Sequence, residues 1–205
     1  MKQEIIKLYD EYTHAPLPRR VFLRRLAQLA GGGAAAAALL PLLEANYARA
    51  ELVAADDPRL ASERVTYPGA SGAMRGYLVK PRAAAGKLPA VLVIHENRGL
   101  NPHIEDVARR LAVEGFLALA PDGLSPLGGT PADADQARDL IGKLDPAKTR
   151  ADYLAALTYL AGRPDVTGKL GVVGFCWGGG MANQVAVHAP ALQAAVAFYG
   201  ATPGA

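Results

Sequence analysis

Residues 169–180, KLGVVGFCWGGG, constrain this chain more than any other stretch. Apolar residues and glycine at 170–173 lead into Gly174-Phe175-Cys176-Trp177-Gly178, a G-x-C-x-G, followed by Gly179 and Gly180. The next nine residues, MANQVAVHA, have helical spacing. A strand, a sharp turn and a helix with a nucleophilic residue at the apex make up a nucleophile elbow. The glycines have a steric reason: at so tight a turn, flanking side chains collide with the neighbouring strand and helix. The central residue is forced into strained backbone geometry. A cysteine at that apex stands at a helix N-terminus, where the dipole and free N–H groups favour the thiolate.

Three plainer readings compete. The spacing is neither G-x-G-x-x-G nor G-x-x-x-x-G-K-[ST], which sets a phosphate loop aside. A papain-like site calls for C-G-x-C-W, which is absent. A Gly-rich turn with its cysteine buried merely as a small hydrophobe is the third.

Around the elbow, apolar strand runs alternate with helical patterns. Short strands are expected at 63–67 and 74–79, joined by the turn-rich PGASG at 68–72. Residues 90–94 are a continuous apolar run, as a strand covered on both faces requires, and 116–120, 170–173 and 194–198 are further apolar strand runs. Helices are expected at 101–114, 132–144 and 149–161. Asn101 is placed to cap the first, with Pro102 in its first turn. This order predicts a mostly parallel, doubly wound α/β sheet, with the elbow at the carboxyl end of a central strand.

The elbow GFCWGG, together with AVLVIHENRGL at 90–100, EGFLALAPDG at 114–123 and AAVAFYG at 194–200, resembles the dienelactone hydrolase family of α/β-hydrolases. The resemblance runs from about residue 64 to the last residue. It implies the α/β-hydrolase fold and hydrolysis of a carboxylic ester or lactone, a small-molecule substrate, without a cofactor. Cys176 is the expected nucleophile. In elbows one oxyanion donor is the backbone N–H after the nucleophile, here Trp177; the other comes from the loop near Glu96 and Asn97. The resemblance further implies that Glu96 contacts the cysteine thiol and governs when the thiolate forms. His95 reads as a structural strand-end histidine, because triad order puts the catalytic histidine after the nucleophile. His95, Glu96 and His103 do not have the H-E-x-x-H spacing of a metal site. Family members carry a substrate-binding arginine after the P-D stretch; residues 121–126, PDGLSP, have none. The chemistry therefore carries over better than the dienelactone substrate, and Asp122 reads as a loop cap.

The triad is where the expectation is least comfortable. The 29 residues after Cys176 contain no Asp or Glu and a single histidine, His188. At ~1.5 Å per residue along the elbow helix, His188 stands roughly 18 Å from Cys176. The expectation is therefore an incomplete α/β-hydrolase domain over 63–205, truncated before its last strands. It would be nearly inactive alone, and a second polypeptide could complete it. A non-catalytic fragment of the same fold and a cysteine thioesterase or acyltransferase are the alternatives.

Charge separates the chain into parts. The net charge is +3. Residues 1–50 hold seven Lys/Arg and four Asp/Glu, while the remaining residues hold fifteen of each. The body has no basic footprint, so no nucleic-acid partner is expected. A single cysteine excludes an internal disulfide framework. Arg19-Arg20-Val21-Phe22-Leu23-Arg24 resembles the twin-arginine export motif, followed by an Ala- and Gly-rich apolar run at 26–43 and an A-x-A site at Ala48-Arg49-Ala50. Residues 1–50 thus read as a twin-arginine signal peptide and 51–62 as a linker. The protein is expected in the periplasm or secreted, with the export machinery as a partner. The rival is an uncleaved membrane anchor, for which about 18 apolar residues just suffice. Replacing Arg19 and Arg20 by Lys is expected to hold the protein in the cytoplasm, read by cell fractionation.

Overall fold

The computed structural model describes residues 2–14, 17–43 and 51–202, in two compact units divided between Ala50 and Glu51. The first unit has three helices, α1 (Gln3–His14), α2 (Arg19–Ala30) and α3 (Gly33–Leu43). Ile5, Leu8 and Tyr12 recur on one face of α1 and are buried with Phe22 and Leu26 of α2 and Ala36 of α3. The rings of Tyr12 and Phe22 stack at 4.2 Å. No helix was expected at α1, although the spacing of Ile5, Leu8 and Tyr12 is helical.

The apolar run at 26–43 is not one helix. Gly31, at φ 87°, closes α2, and Gly32 follows at φ 143° before α3 begins. Glycine adopts such angles without a Cβ clash, so hydropathy reads as continuous a run that the backbone breaks. Helices α2 and α3 have 12 and 11 residues. Among the described residues no helix is long and apolar enough to cross a membrane. Arg19 and Arg20 are exposed at the start of α2. The expected cleavage site at 48–50 lies outside the described residues.

The second unit is built on a six-stranded sheet. Its strands are β1 (Leu60–Gly69), β2 (Gly72–Pro81), β3 (Leu88–Ile94), β4 (Leu117–Pro121), β5 (Val166–Phe175) and β6 (Ala194–Phe198). The order is β1-β2-β4-β3-β5-β6. β1 and β2 form an antiparallel hairpin closed by Ala70 and Ser71, and β2 runs antiparallel to β4. The β4, β3, β5 and β6 neighbours are all parallel. The expected mostly parallel α/β sheet is therefore present, with an antiparallel hairpin at one edge.

Side-chain alternation feeds two cores, one on each face. Ala90, Leu92 and Ile94 of β3 join Leu78, Leu119 and Val172. Helices α6 (Pro146–Ala161) and α7 (Trp177–His188) cover that face with Tyr153, Leu160, Met181 and Val185. Val93 of β3 joins Val79, Ala118 and Ala120 on the other face, under Ile104, Val107 and Ala108 of α4 (Pro102–Val113). Asn101 caps α4, its side chain accepting from the Ile104 N–H. A shorter helix, α5 (Ala134–Ile141), packs Ala137 and Ile141 on Leu124.

Residues 51–62 are not a free linker. They belong to the second unit; Val53 is buried against α4, and β1 already begins at Leu60. The polar composition of 51–62 concealed that its backbone amides have partners, described below.

Among the described residues β6 pairs only with β5, and all five of its residues are exposed. Phe198 stacks on Phe175 at 5.1 Å. Both line a cavity of about 450 Å³ with Val107, Leu111 and Val173. An apolar strand edge of this kind is a template for association. Val196→Lys, at a half-exposed position, is expected to reduce concentration-dependent association in analytical ultracentrifugation while shifting the melting temperature little.

Candidate active site

β5 delivers the chain to Cys176, where φ is 55° and ψ −118°, and α7 starts at the next residue. A non-glycine residue at positive φ is strained, and such strain persists only where the surroundings hold it. Here backbone packing does so. A Cβ on Gly174 would sit on the Gly178 carbonyl, and one on Gly178 would strike the carbonyls of His95 and Ile94, the latter at 2.5 Å. A Cβ on Gly179 would meet the Phe198 carbonyl at 2.6 Å. The glycine pattern of the elbow is thus a set of backbone approaches too close for any side chain. The Cys176 N–H donates to the Phe198 carbonyl at 3.0 Å, which ties the apex to the end of β6.

Three strand ends meet at this point. Ile94 of β3 is in register with Gly174 of β5, and Phe175 with Phe198 of β6. Glu96 and Asn97 follow β3, Cys176 and Trp177 follow β5, and Tyr199 follows β6. The Tyr199 hydroxyl donates to Glu96 Oε1 at 2.9 Å, spanning 103 residues of sequence. Tyr199 is itself at positive φ, 41°. The structure thus brings together the elements carrying all four expected site residues, Cys176, Glu96, Trp177 and Asn97. Tyr199 is the residue that sequence reasoning missed. Its only signal was its place directly after an apolar strand. The Trp177 backbone N–H lies in the first turn of α7, where amides have no partner within the helix.

His95 is wholly buried and both its ring nitrogens are engaged. Nδ1–H donates to the Glu96 carbonyl at 2.6 Å, and Nε2 accepts from the Gly123 N–H at 3.0 Å. The Tyr153 hydroxyl lies 3.4 Å from the same Nε2, and burial keeps that phenol protonated by raising its pKa. The ring stacks on Trp177 at 5.4 Å. These bonds fix the neutral tautomer with its proton on Nδ1. Burial pushes the imidazole pKa down, against the opposing pull of the Glu96 carbonyl and the Asp122 charge. His95 is therefore a strut between the β3 loop and the β4 loop, as its place at a strand end suggested.

Asp122 is likewise occupied. Oδ1 accepts from the Leu124 N–H at 3.0 Å and the Thr130 hydroxyl at 2.7 Å, and Oδ2 accepts from the Thr130 N–H at 2.9 Å. It caps its loop. His188 ends α7, exposed, with its Nδ1 2.8 Å from the Gln184 carbonyl. His103 lines the apolar cavity beside Phe175 and Phe198. Among the described residues no three His, Cys, Asp or Glu side chains come together as metal ligands.

The sequence profile of the dienelactone hydrolase family matches residues 74–205. The Escherichia coli K12 protein YghX, described as a hydrolase fragment, is 56% identical over 113 residues, 54% of this chain and 97% of its own. A Salmonella typhi protein described as a carboxymethylenebutenolidase is 36% identical over 152 residues, 72% of this chain and 56% of its own. Among solved structures, a protein titled as a dienelactone hydrolase from Klebsiella pneumoniae superposes with a TM-score of 0.62 at 34% identity. That match covers 71% of this chain and 62% of the other. The metagenomic dienelactone hydrolase-like phosphotriesterase P91 gives 0.63 at 32% identity, over 70% and 61%. The chain spans little more than half the length of the curated carboxymethylenebutenolidases it matches.

The depressed His95 pKa has a consequence for stability. Below the ordinary value of 6.5 the unfolded chain binds a proton that the folded ring refuses, so stability falls as pH drops from about 6.5. His95→Gln is expected to melt lower at pH 7. Its melting temperature should then fall less steeply than the wild type's between pH 6.5 and 5.

Proposed function

The chain belongs to the dienelactone hydrolase family, and on that premise we propose that its body hydrolyses carboxylic esters or lactones with Cys176 as the nucleophile. The observation that carries the reading is the apex itself: a cysteine at φ 55° on the N-terminus of α7, held there by glycine-only contacts. The thiolate sulfur attacks the carbonyl carbon. The oxyanion takes hydrogen bonds from the Trp177 N–H and from Asn97, and the alcohol leaves with a proton. Water then cleaves the thioester and regenerates the thiol. Glu96, steadied by Tyr199, governs when the thiol loses its proton. The substrate class is a small uncharged ester or lactone, since no arginine stands at 121–126.

Neither His95, with both nitrogens committed, nor His188, at the far end of α7, is placed to act as the base. We infer that a second polypeptide, added beside β6, supplies the base and its acid partner. The first 50 residues are read as the twin-arginine address that takes the protein to the periplasm or beyond, with cleavage after Ala50.

Without a base, thiolate attack is possible once and release is slow. With p-nitrophenyl acetate the chain alone is expected to give a burst of up to one equivalent and then turnover far below the ~10 s⁻¹ typical of enzymes. Cys176→Ala should abolish the burst. Cysteine-dependent turnover at ordinary rates would show that a base is present among these residues. Absence of a burst in the wild type, with slow iodoacetamide labelling, would favour a binding module.

A further inference from the structure

The start of the second unit is gripped by buried charge. Asp106 and Arg109, one turn apart on α4, are 1% and 3% exposed. Asp106 Oδ1 accepts the backbone N–H groups of Leu52 and Val53 at 3.1 and 2.8 Å. Arg109 Nε donates to the Val53 carbonyl at 2.7 Å, and its Nη2 to Glu51 Oε1 at 2.7 Å. The guanidinium also lies 5.9 Å from the centre of the Tyr77 ring. The second Asp106 oxygen, Oδ2, is buried and has no hydrogen-bond partner among the described residues.

A buried carboxylate oxygen without a donor is costly and rare. The charges point the same way. Asp106 and Glu51 bring two negative charges and Arg109 one positive. The nearby Arg64 is already paired with Glu105 at 2.7 Å. Among the described residues the buried Asp106 and Arg109, 3.9 Å apart, are joined by the partly exposed Glu51, which leaves one carboxylate in excess where the chain enters the body.

We propose that this cluster is the seat of a new amino terminus: hydrolysis of the Ala50–Glu51 bond leaves a carboxylate on Ala50 and an ammonium on Glu51, and that ammonium pairs with Asp106. The Leu52 nitrogen is already 3.1 Å from Oδ1. The Glu51 nitrogen is one residue further, at most ~3.6 Å of chain. The division between the two compact units falls at this same bond. The pair supplies the donor that Oδ2 lacks and neutralises the cluster, so removal of the leader tightens the body at its first residue. This inference rests on the reading of cleavage after Ala50.

The test uses the full chain with a factor Xa recognition sequence in place of residues 47–50, so that cutting frees Glu51. The control carries it at 45–48, so that the ammonium ends two residues further out. After cutting, the body that begins at Glu51 is expected to melt about 3 °C higher than the control. Its α-amine should label with a succinimidyl ester at pH 7.5 at least three-fold more slowly. Asp106→Asn in both proteins should erase the difference. Equal melting of the two cut proteins overturns the proposal, as does a difference that survives Asp106→Asn. Where Asp106→Asn fails to fold, the labelling rates decide, and a Glu51 amine as reactive as the control's overturns it. Sequencing the amino terminus of the exported protein tests the cleavage itself, and its outcome does not bear on the in vitro comparison.

Discussion

The second unit depends on the approach of one backbone to another at Gly178. The first turn of α7 lies so close to the end of β3 that a hydrogen fits against the Ile94 and His95 carbonyls and a methyl group does not. Gly174 and Gly179 extend the same contact towards the elbow and the end of β6. Overpacking at even one of these positions forces backbone to move, because carbonyl groups in a sheet cannot rotate aside as a side chain can. The strained angles of Cys176 follow from this. So does its station at a helix N-terminus, where anionic sulfur is favoured. Loop, elbow and strand end form one block, which is why Glu96, Cys176 and Tyr199 arrive at one place from three strands.

Much of the polar apparatus near the site holds that block together instead of reacting. His95 and Asp122, read in the sequence as a strand-end histidine and a loop cap, are each hydrogen-bonded to the loops they brace. The cause is burial. A histidine or carboxylate taken out of water is stabilised by local hydrogen bonds, and here those bonds hold the loops in place. Glu96 differs: it is partly exposed and linked to Tyr199, so its carboxylate is steadied without being enclosed.

The two sides of the body are finished differently. At its start, buried charge grips residues 51–53. Beside β6, apolar side chains face outward over an open cavity. Charge holds a segment in a single register because each donor has one acceptor. An apolar face sets no such requirement and accommodates whatever shape covers it.

Local patterns carried most of the fold. Continuous apolar runs announced β3 and β4, alternating elements announced the parallel sheet, Asn101-Pro102 announced the start of α4, and the G-x-C-x-G announced the elbow. Each is a message between residues a few positions apart, so one sequence suffices to read it. Only the tertiary structure decided the partners that lie far apart in the chain. It set β4 between β2 and β3, joined Tyr199 to Glu96, gave His95 its partners in the β4 loop and docked the supposed linker on Asp106 and Arg109. It also broke the apolar run at 26–43 at Gly31 and Gly32, where hydropathy saw none of the backbone angles that stop a helix. Periodicity and steric need are written locally. Which donor meets which acceptor is settled only when the sheet has brought distant segments side by side.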